Sequence, residues 1–141
     1  MSTVFDDILA ERHCGSVHCG TAEADSLEGI AAAFGLATDA AIYREIDRGL
    51  ARSLIIELLH HDLAYRSALM SLERATDLAD GFLLEAAPGA CRYFSNMAAT
   101  DARAFASDAR AWNPATAATF DTGVLIVGGT GAACLWVEDE D

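Results

Sequence analysis

Residues 120–141 read FDTGVLIVGGTGAACLWVEDED, and this stretch decides the fold. Two apolar runs, 124–127 and 133–137, flank the glycine-rich segment 128–131, a composition typical of a tight turn between antiparallel strands. The pattern predicts a β-hairpin over about 123–137. A strand that runs into glycines also opens dinucleotide-binding folds, but the chain after Gly131 is too short for the helix and strand that such a site needs.

The chain before the hairpin has a mainly helical pattern. Apolar residues recur at helical spacing over 4–12, 27–34, 42–46, 50–63 and 69–83. Pro88 and Gly89 end the last of these segments. Cys91–Ser95 (CRYFS) is then predicted as a short strand, and a short helix near 101–111 precedes the hairpin. We expect one domain, 1–141, with an α+β fold whose helical N-terminal two-thirds packs on a small C-terminal antiparallel sheet.

The composition is strongly acidic. The formal net charge is −13, and the nine basic residues are all arginine. Such a field repels nucleic-acid phosphates and anionic lipid and attracts basic proteins, so the sequence predicts neither a nucleic-acid nor a membrane partner. The first residues carry acids rather than a basic leader, which favours a cytoplasmic protein with reduced cysteines. The sequence leaves the oligomeric state open.

Residues 27–48 resemble the helix-turn-helix of bacterial repressors. IAAAFGL at 30–36 corresponds to the first helix and Ile42-Tyr43-Arg44 to the second. The resemblance implies a transcription regulator. Three acids in the second segment oppose the basic footprint that a DNA-reading helix needs, so an ordinary helical hairpin is the alternative.

The sequence LLHHDL at 58–63 resembles the His-Asp dyad of the HD phosphohydrolases. The resemblance implies a metal-dependent enzyme that uses His60, His61 and Asp62, with His18 and either Asp77 or Asp80 as the remaining ligand candidates. The alternative is a helix end whose histidines lie favourably beside the C-terminal dipole.

His13, Cys14, His18 and Cys19 lie within seven residues, and their side chains are ligand types that zinc prefers. Cys91 or Cys134 could complete such a site. The alternative is an exposed loop between two helices, because Gly15 and Gly20 interrupt the pattern. The sequence predicts no cofactor.

Acidic residues follow directly on the last predicted strand. We expect them to form one acidic face at a fixed edge of the sheet, with Asp6, Asp7 and the aromatic anchor Trp112 nearby. The predicted binding residues are Asp121, Trp136, Glu138, Asp139, Glu140 and Asp141. A small acidic domain of this kind is similar in character to bacterial immunity proteins. We therefore expect a non-enzymatic, protein-binding inhibitor that neutralises a partner with a basic surface, such as a cognate toxin or effector that targets nucleic acid.

Overall fold

The computed structural model describes residues 3–96, 114–129 and 131–140. In chain order the elements are α1 (Val4–Glu11), β1 (Ser16–Ala22), α2 (Leu27–Ala33), a 3-10 turn (Ala40–Ile42), β2 (Arg44–Ile46), α3 (Arg48–His60), α4 (Leu72–Ala86), β3 (Cys91–Ser95), β4 (Phe120–Gly128) and β5 (Gly131–Asp139). The predicted α+β class is confirmed. Trp112 and the helix predicted near 101–111 lie outside the described residues.

The five strands of the described chain form one antiparallel sheet in the order β1-β5-β4-β3-β2. β4 and β5 pair from Phe120 opposite Asp139 to Gly128 opposite Gly131, so the predicted hairpin is confirmed and is longer than expected at both ends. The predicted strand Cys91–Ser95 is also confirmed and pairs with β4. Both hairpin strands are therefore flanked by further strands, and neither is an edge.

Each face of the sheet is covered by a separate apolar core. Val124 and Leu135 lie on one face and pack with side chains of α1, α3 and α4. Leu125, Cys134 and Trp136 lie on the opposite face and pack with α2 and the segment that follows it. Because successive strand residues point to opposite faces, burial of both faces explains the unbroken apolar run in β4.

The segment predicted as an N-terminal loop is instead the edge strand β1. Its residues pair with β5 from Ser16 opposite Glu138 to Ala22 opposite Ala132. Gly15, directly before β1, has a φ of +63°, and a Cβ there would clash with the Glu138 carbonyl oxygen and the Asp139 carboxylate. Only glycine fits at this position. The loop interpretation was wrong because pairing with a distant strand outweighs the glycines of the local sequence.

The helix predicted around 42–46 is also wrong. Residues Arg44–Ile46 form the short strand β2, which pairs with β3 at the opposite edge of the sheet. The spacing of Ile42, Tyr43 and Ile46 is compatible with one helical face, but Tyr43 and Ile46 pack into the two different cores. A helix would place them on the same side, whereas an extended chain separates them.

The strands of the hairpin approach unusually closely at Gly123. An ideal Cβ at this position would lie 2.6 Å from the Trp136 Cα and 2.9 Å from the Leu135 carbonyl carbon. Only glycine allows this approach of the two backbones. No helix among 3–96, 114–129 and 131–140 has the length and apolar character to cross a bilayer.

Candidate functional site

Among the described residues, the acids predicted to form one exposed face at the C-terminus are not all at the surface. Asp121, Trp136 and Asp139 have no exposed surface, Glu138 is partly buried and Glu140 is exposed. Asp141 lies outside the described residues. The prediction failed because β5 continues through Asp139, and alternate residues of a strand point to opposite faces of the sheet.

Asp121 is a buried anchor for the chain on both sides of residues 97–113. Its carboxylate accepts hydrogen bonds from the Asn96 side chain, the Trp136 Nε1 and the Ala115 backbone, all at 3.1 Å through Oδ1. Thr116 donates to Oδ2 from its backbone N–H at 3.3 Å and its hydroxyl at 3.1 Å. Burial raises the pKa of Asp121, and the hydrogen bonds from Ala115, Trp136 and Thr116 oppose the rise. Asp121 and Trp136 bond each other within this network, and neither side chain is exposed.

Asp139 is held by the buried guanidinium of Arg12, which bonds both of its oxygens, at 3.1 and 2.9 Å. The Leu63 backbone N–H donates to the same carboxylate at 2.8 Å, and the Arg12 Nε donates to the Leu58 carbonyl at 2.6 Å. The pair ties the end of α1 to α3 and β5. Asp139 is therefore a structural residue of the core and not part of an acidic surface.

Glu138 and Glu140 are the predicted binding residues that reach the surface within the described chain. Glu138 lies 2.5 Å from the His18 Nε2, with both side chains about a quarter to a third exposed. Glu140 accepts a hydrogen bond from the Thr119 hydroxyl. Together with Cys14 and Ser16, the two glutamates line a cavity of about 430 Å³ at the beginning of β1.

The His60-His61-Asp62 sequence lies at the end of α3, and its groups have internal partners. Asp62 is buried and accepts hydrogen bonds from the backbone N–H groups of Tyr65 and Ser67, at 3.0 and 2.5 Å. The His60 Nδ1 lies 2.7 Å from the Met70 carbonyl oxygen, and the His61 Nδ1 lies 2.9 Å from the Glu57 carboxylate. Asp62 thus shapes the loop between α3 and α4. The phosphohydrolase alternative stays a prediction that none of these contacts supports.

The four proposed zinc ligands near the N-terminus are separated by the strand. His18 and Cys19 are successive residues of β1 and point to opposite faces of the sheet. His13 is exposed beside the Glu11 carbonyl, and burial raises the pKa of the Cys14 thiol. Within the described ranges, no group of three or more His, Cys, Asp or Glu side chains is arranged to hold a metal ion.

The helix-turn-helix resemblance fails at its second helix. α2 is present, but the segment expected to read DNA consists of a 3-10 turn at Ala40–Ile42 and the strand β2. Glu45 on this strand is paired with Arg92. The region is therefore part of the sheet and its connection, and it lacks the helix that would enter a groove.

The outer edge of β1 is the site that the sequence interpretation missed. β1 pairs with β5 on one side only, and no other described strand lies on its second side. Ser16 and Thr21 are exposed at its two ends, and the five residues between and after them are partly exposed. The available signal was the stretch SVHCGTA, where Val17 and Cys19 alternate with small or polar residues.

Carboxylates lie near both ends of this edge strand. Glu138 lies on the neighbouring strand, and Glu23 follows the strand and lines a cavity of about 410 Å³ with Glu85. On the face of the sheet that α1 covers, burial raises the pKa of the Cys19 thiol to about 12, and the nearby charge of Asp6 contributes to a smaller extent. That thiol is protonated at neutral pH, so this edge offers hydrogen bonds and negative charge and not a nucleophile.

Comparison with protein-family models, with curated proteins and with solved structures found no match to this chain.

Proposed function

We propose that this protein is a protein-binding inhibitor of the immunity type, which neutralises a partner through that partner's basic surface. The observation that carries the proposal is the disposition of charge. Five arginine side chains of the described chain have partners within the molecule: Arg12, Arg52, Arg74 and Arg92 pair with carboxylates, and Arg48 bonds the Ala87 carbonyl and the Tyr93 hydroxyl. The excess of acidic over basic residues therefore gives the surface of the protein a negative charge.

Exposed carboxylates supply that exterior field. Those outside the ion pairs include Glu23, Asp25, Glu28, Glu73, Asp77 and Glu85. A surface of this sign accelerates encounter with a cationic protein and competes with the anionic substrate that the partner would otherwise bind. A toxin or effector that acts on nucleic acid has such a cationic surface, because it must neutralise phosphates.

The proposal is tested by immobilising the protein, exposing it to a lysate of the cells that make it, and identifying what is retained at low salt. The retained protein is then purified, and its association rate and activity are measured with and without the inhibitor. We expect a basic protein whose activity is lost at a stoichiometric amount of inhibitor.

The salt dependence distinguishes this function from ordinary association. The association rate should fall steeply between about 0.01 and 0.15 M ionic strength, over which the Debye length falls from about 30 to about 8 Å. A captured protein that keeps its full activity in the complex, or an association rate that is indifferent to salt, would contradict the proposal.

A further inference from the structure

The two edges of the sheet differ in how well they are protected against pairing. β2 has only three residues and carries the charged residues Arg44 and Glu45. Short length and charged side chains both protect an edge strand against pairing with another chain. β1 has seven residues, SVHCGTA, with no lysine, arginine, carboxylate or proline. One side of its backbone is bonded to β5, and the groups on the other side face away from the sheet.

Negative charge flanks the open edge on both faces of the sheet. Asp6 belongs to α1, which contacts β1 on the face that carries Cys19, and Glu138 lies beside His18 on the opposite face. Glu23 extends this charge beyond the end of the strand. A strand added at this edge would direct alternate side chains toward these two faces, each of which carries negative charge near β1.

We infer that the outer edge of β1 is the docking strand for an extended, basic segment of the protein partner, which joins the sheet as a sixth strand. The inference rests on the proposed function and assigns its contact surface. Backbone hydrogen bonds supply affinity in this mode of recognition, and the flanking carboxylates select the charge of the segment. A second copy of this chain fits poorly, because self-pairing of β1 would bring the same acidic groups together.

The first experiment uses a defined probe and needs no natural partner. An end-capped peptide of the length of β1, alternating arginine and valine, is titrated into the full-length protein while amide hydrogen exchange is followed. We expect slower exchange in β1, and unchanged exchange in β2. A peptide with glutamate in place of arginine should give no protection, because it lacks the positive charge. An arginine peptide N-methylated at two adjacent central residues should also give none, because it lacks a backbone N–H donor on each of its edges.

The second experiment compares two variants of equal charge. Ser16→Lys/Thr21→Lys places lysines at the exposed ends of β1, whereas Asp77→Lys makes the same change of net charge on the exposed side of α4. We expect the β1 variant to weaken peptide binding by about tenfold or more relative to the α4 variant. Thermal unfolding and circular dichroism of both variants check that each is folded.

Several results would overturn the inference. Equal binding by the two variants, peptide protection outside β1, or undiminished binding of the N-methylated peptide would each place the contact elsewhere. β1 protection that depends on protein concentration without peptide, together with a dimer in sedimentation, would assign the edge to a second copy. If a basic partner is inhibited in a salt-dependent way but tolerates the β1 lysines, the proposed function stands and only this edge assignment fails.

Discussion

The carboxylate of Asp139 receives two hydrogen bonds from the guanidinium of Arg12, at 3.1 and 2.9 Å, with both side chains buried. Removal of either partner leaves the other charge buried without its counter-charge. We expect Arg12→Met or Asp139→Asn to lower the free energy of unfolding by about 3–5 kcal/mol each. The double variant should cost less than the sum of the two, and denaturant unfolding of all four proteins measures the difference.

The exposed pair Arg52–Asp80 is the matched control for that cycle. Its side chains are 43% and 54% exposed, although the nitrogen–oxygen distance is 2.7 Å. Solvent screens such a pair, so Arg52→Met and Asp80→Asn should each change the free energy of unfolding by only about 0–1 kcal/mol. Strictly additive losses at Arg12 and Asp139 would show that the buried pair is not coupled.

Gly123 allows the close approach of β4 to β5. In Gly123→Ala the added Cβ meets the backbone at Trp136 and Leu135, which a rotamer change cannot relieve. We expect a loss of more than about 2 kcal/mol in the free energy of unfolding, measured with denaturant. Gly129→Ala is the control in the same hairpin, because an ideal Cβ there meets nothing within 4 Å, and it should stay within about 0.5 kcal/mol. Similar stability of the two variants would contradict a role for the close approach.

The pKa of Asp121 is raised by burial in the folded protein, so its ionisation opposes folding. Below pH about 3.9, the pKa of an aspartate in the unfolded chain, the carboxyl is protonated in both the folded and the unfolded state. As pH rises from there through the raised folded pKa, the folded state holds the proton longer, and the Asp121 contribution to stability falls. Asp121→Asn removes the titrating carboxyl and therefore this dependence of stability on pH. Its side-chain amide also faces the N–H donors of Ala115 and Thr116.

The measurement is the free energy of unfolding of both proteins across acidic to neutral pH. The stability of the native protein relative to Asp121→Asn should decrease with rising pH and then level off. The paired acids Glu11, Glu45 and Asp80 have lowered pKa values from hydrogen bonds to arginine, so their stabilising contribution is lost as pH falls. These contributions are common to both proteins and cancel in the difference. A difference that is flat or increases with pH would refute the assignment.

Asp62 orders the loop between α3 and α4. Asp62→Ala removes the acceptor of the Tyr65 and Ser67 N–H groups and should cost about 2 kcal/mol of unfolding free energy. Asp77→Ala, at an exposed position of α4, should stay within about 0.5 kcal/mol. If added divalent metal raised the melting temperature of the native protein and not of Asp62→Ala, Asp62 would be a metal ligand, and the phosphohydrolase alternative would gain its first support.

The parts of the fold that could be predicted are those whose signal is local. The β4–β5 hairpin combines two apolar runs with a glycine turn, and α2 and α4 carry helical spacing with capping residues. β1 and β2 were missed because each gains its structure from a strand far along the chain. In the sequence, Gly15 and Gly20 indicate a loop. The structure shows that Gly15 lies against the Glu138 backbone, where a Cβ would clash.

By itself the sequence determined the class of the fold, the central hairpin and the acidic character, because periodicity, turn composition and net charge do not depend on distant contacts. Only the tertiary structure decided which acids are available to a partner. Glu138 and Asp139 are neighbours of the same charge, yet the strand directs one toward His18 at the surface and the other toward Arg12 in the core. The strand's alternation and the position of Arg12 cause that difference, and neither can be inferred from two adjacent carboxylates.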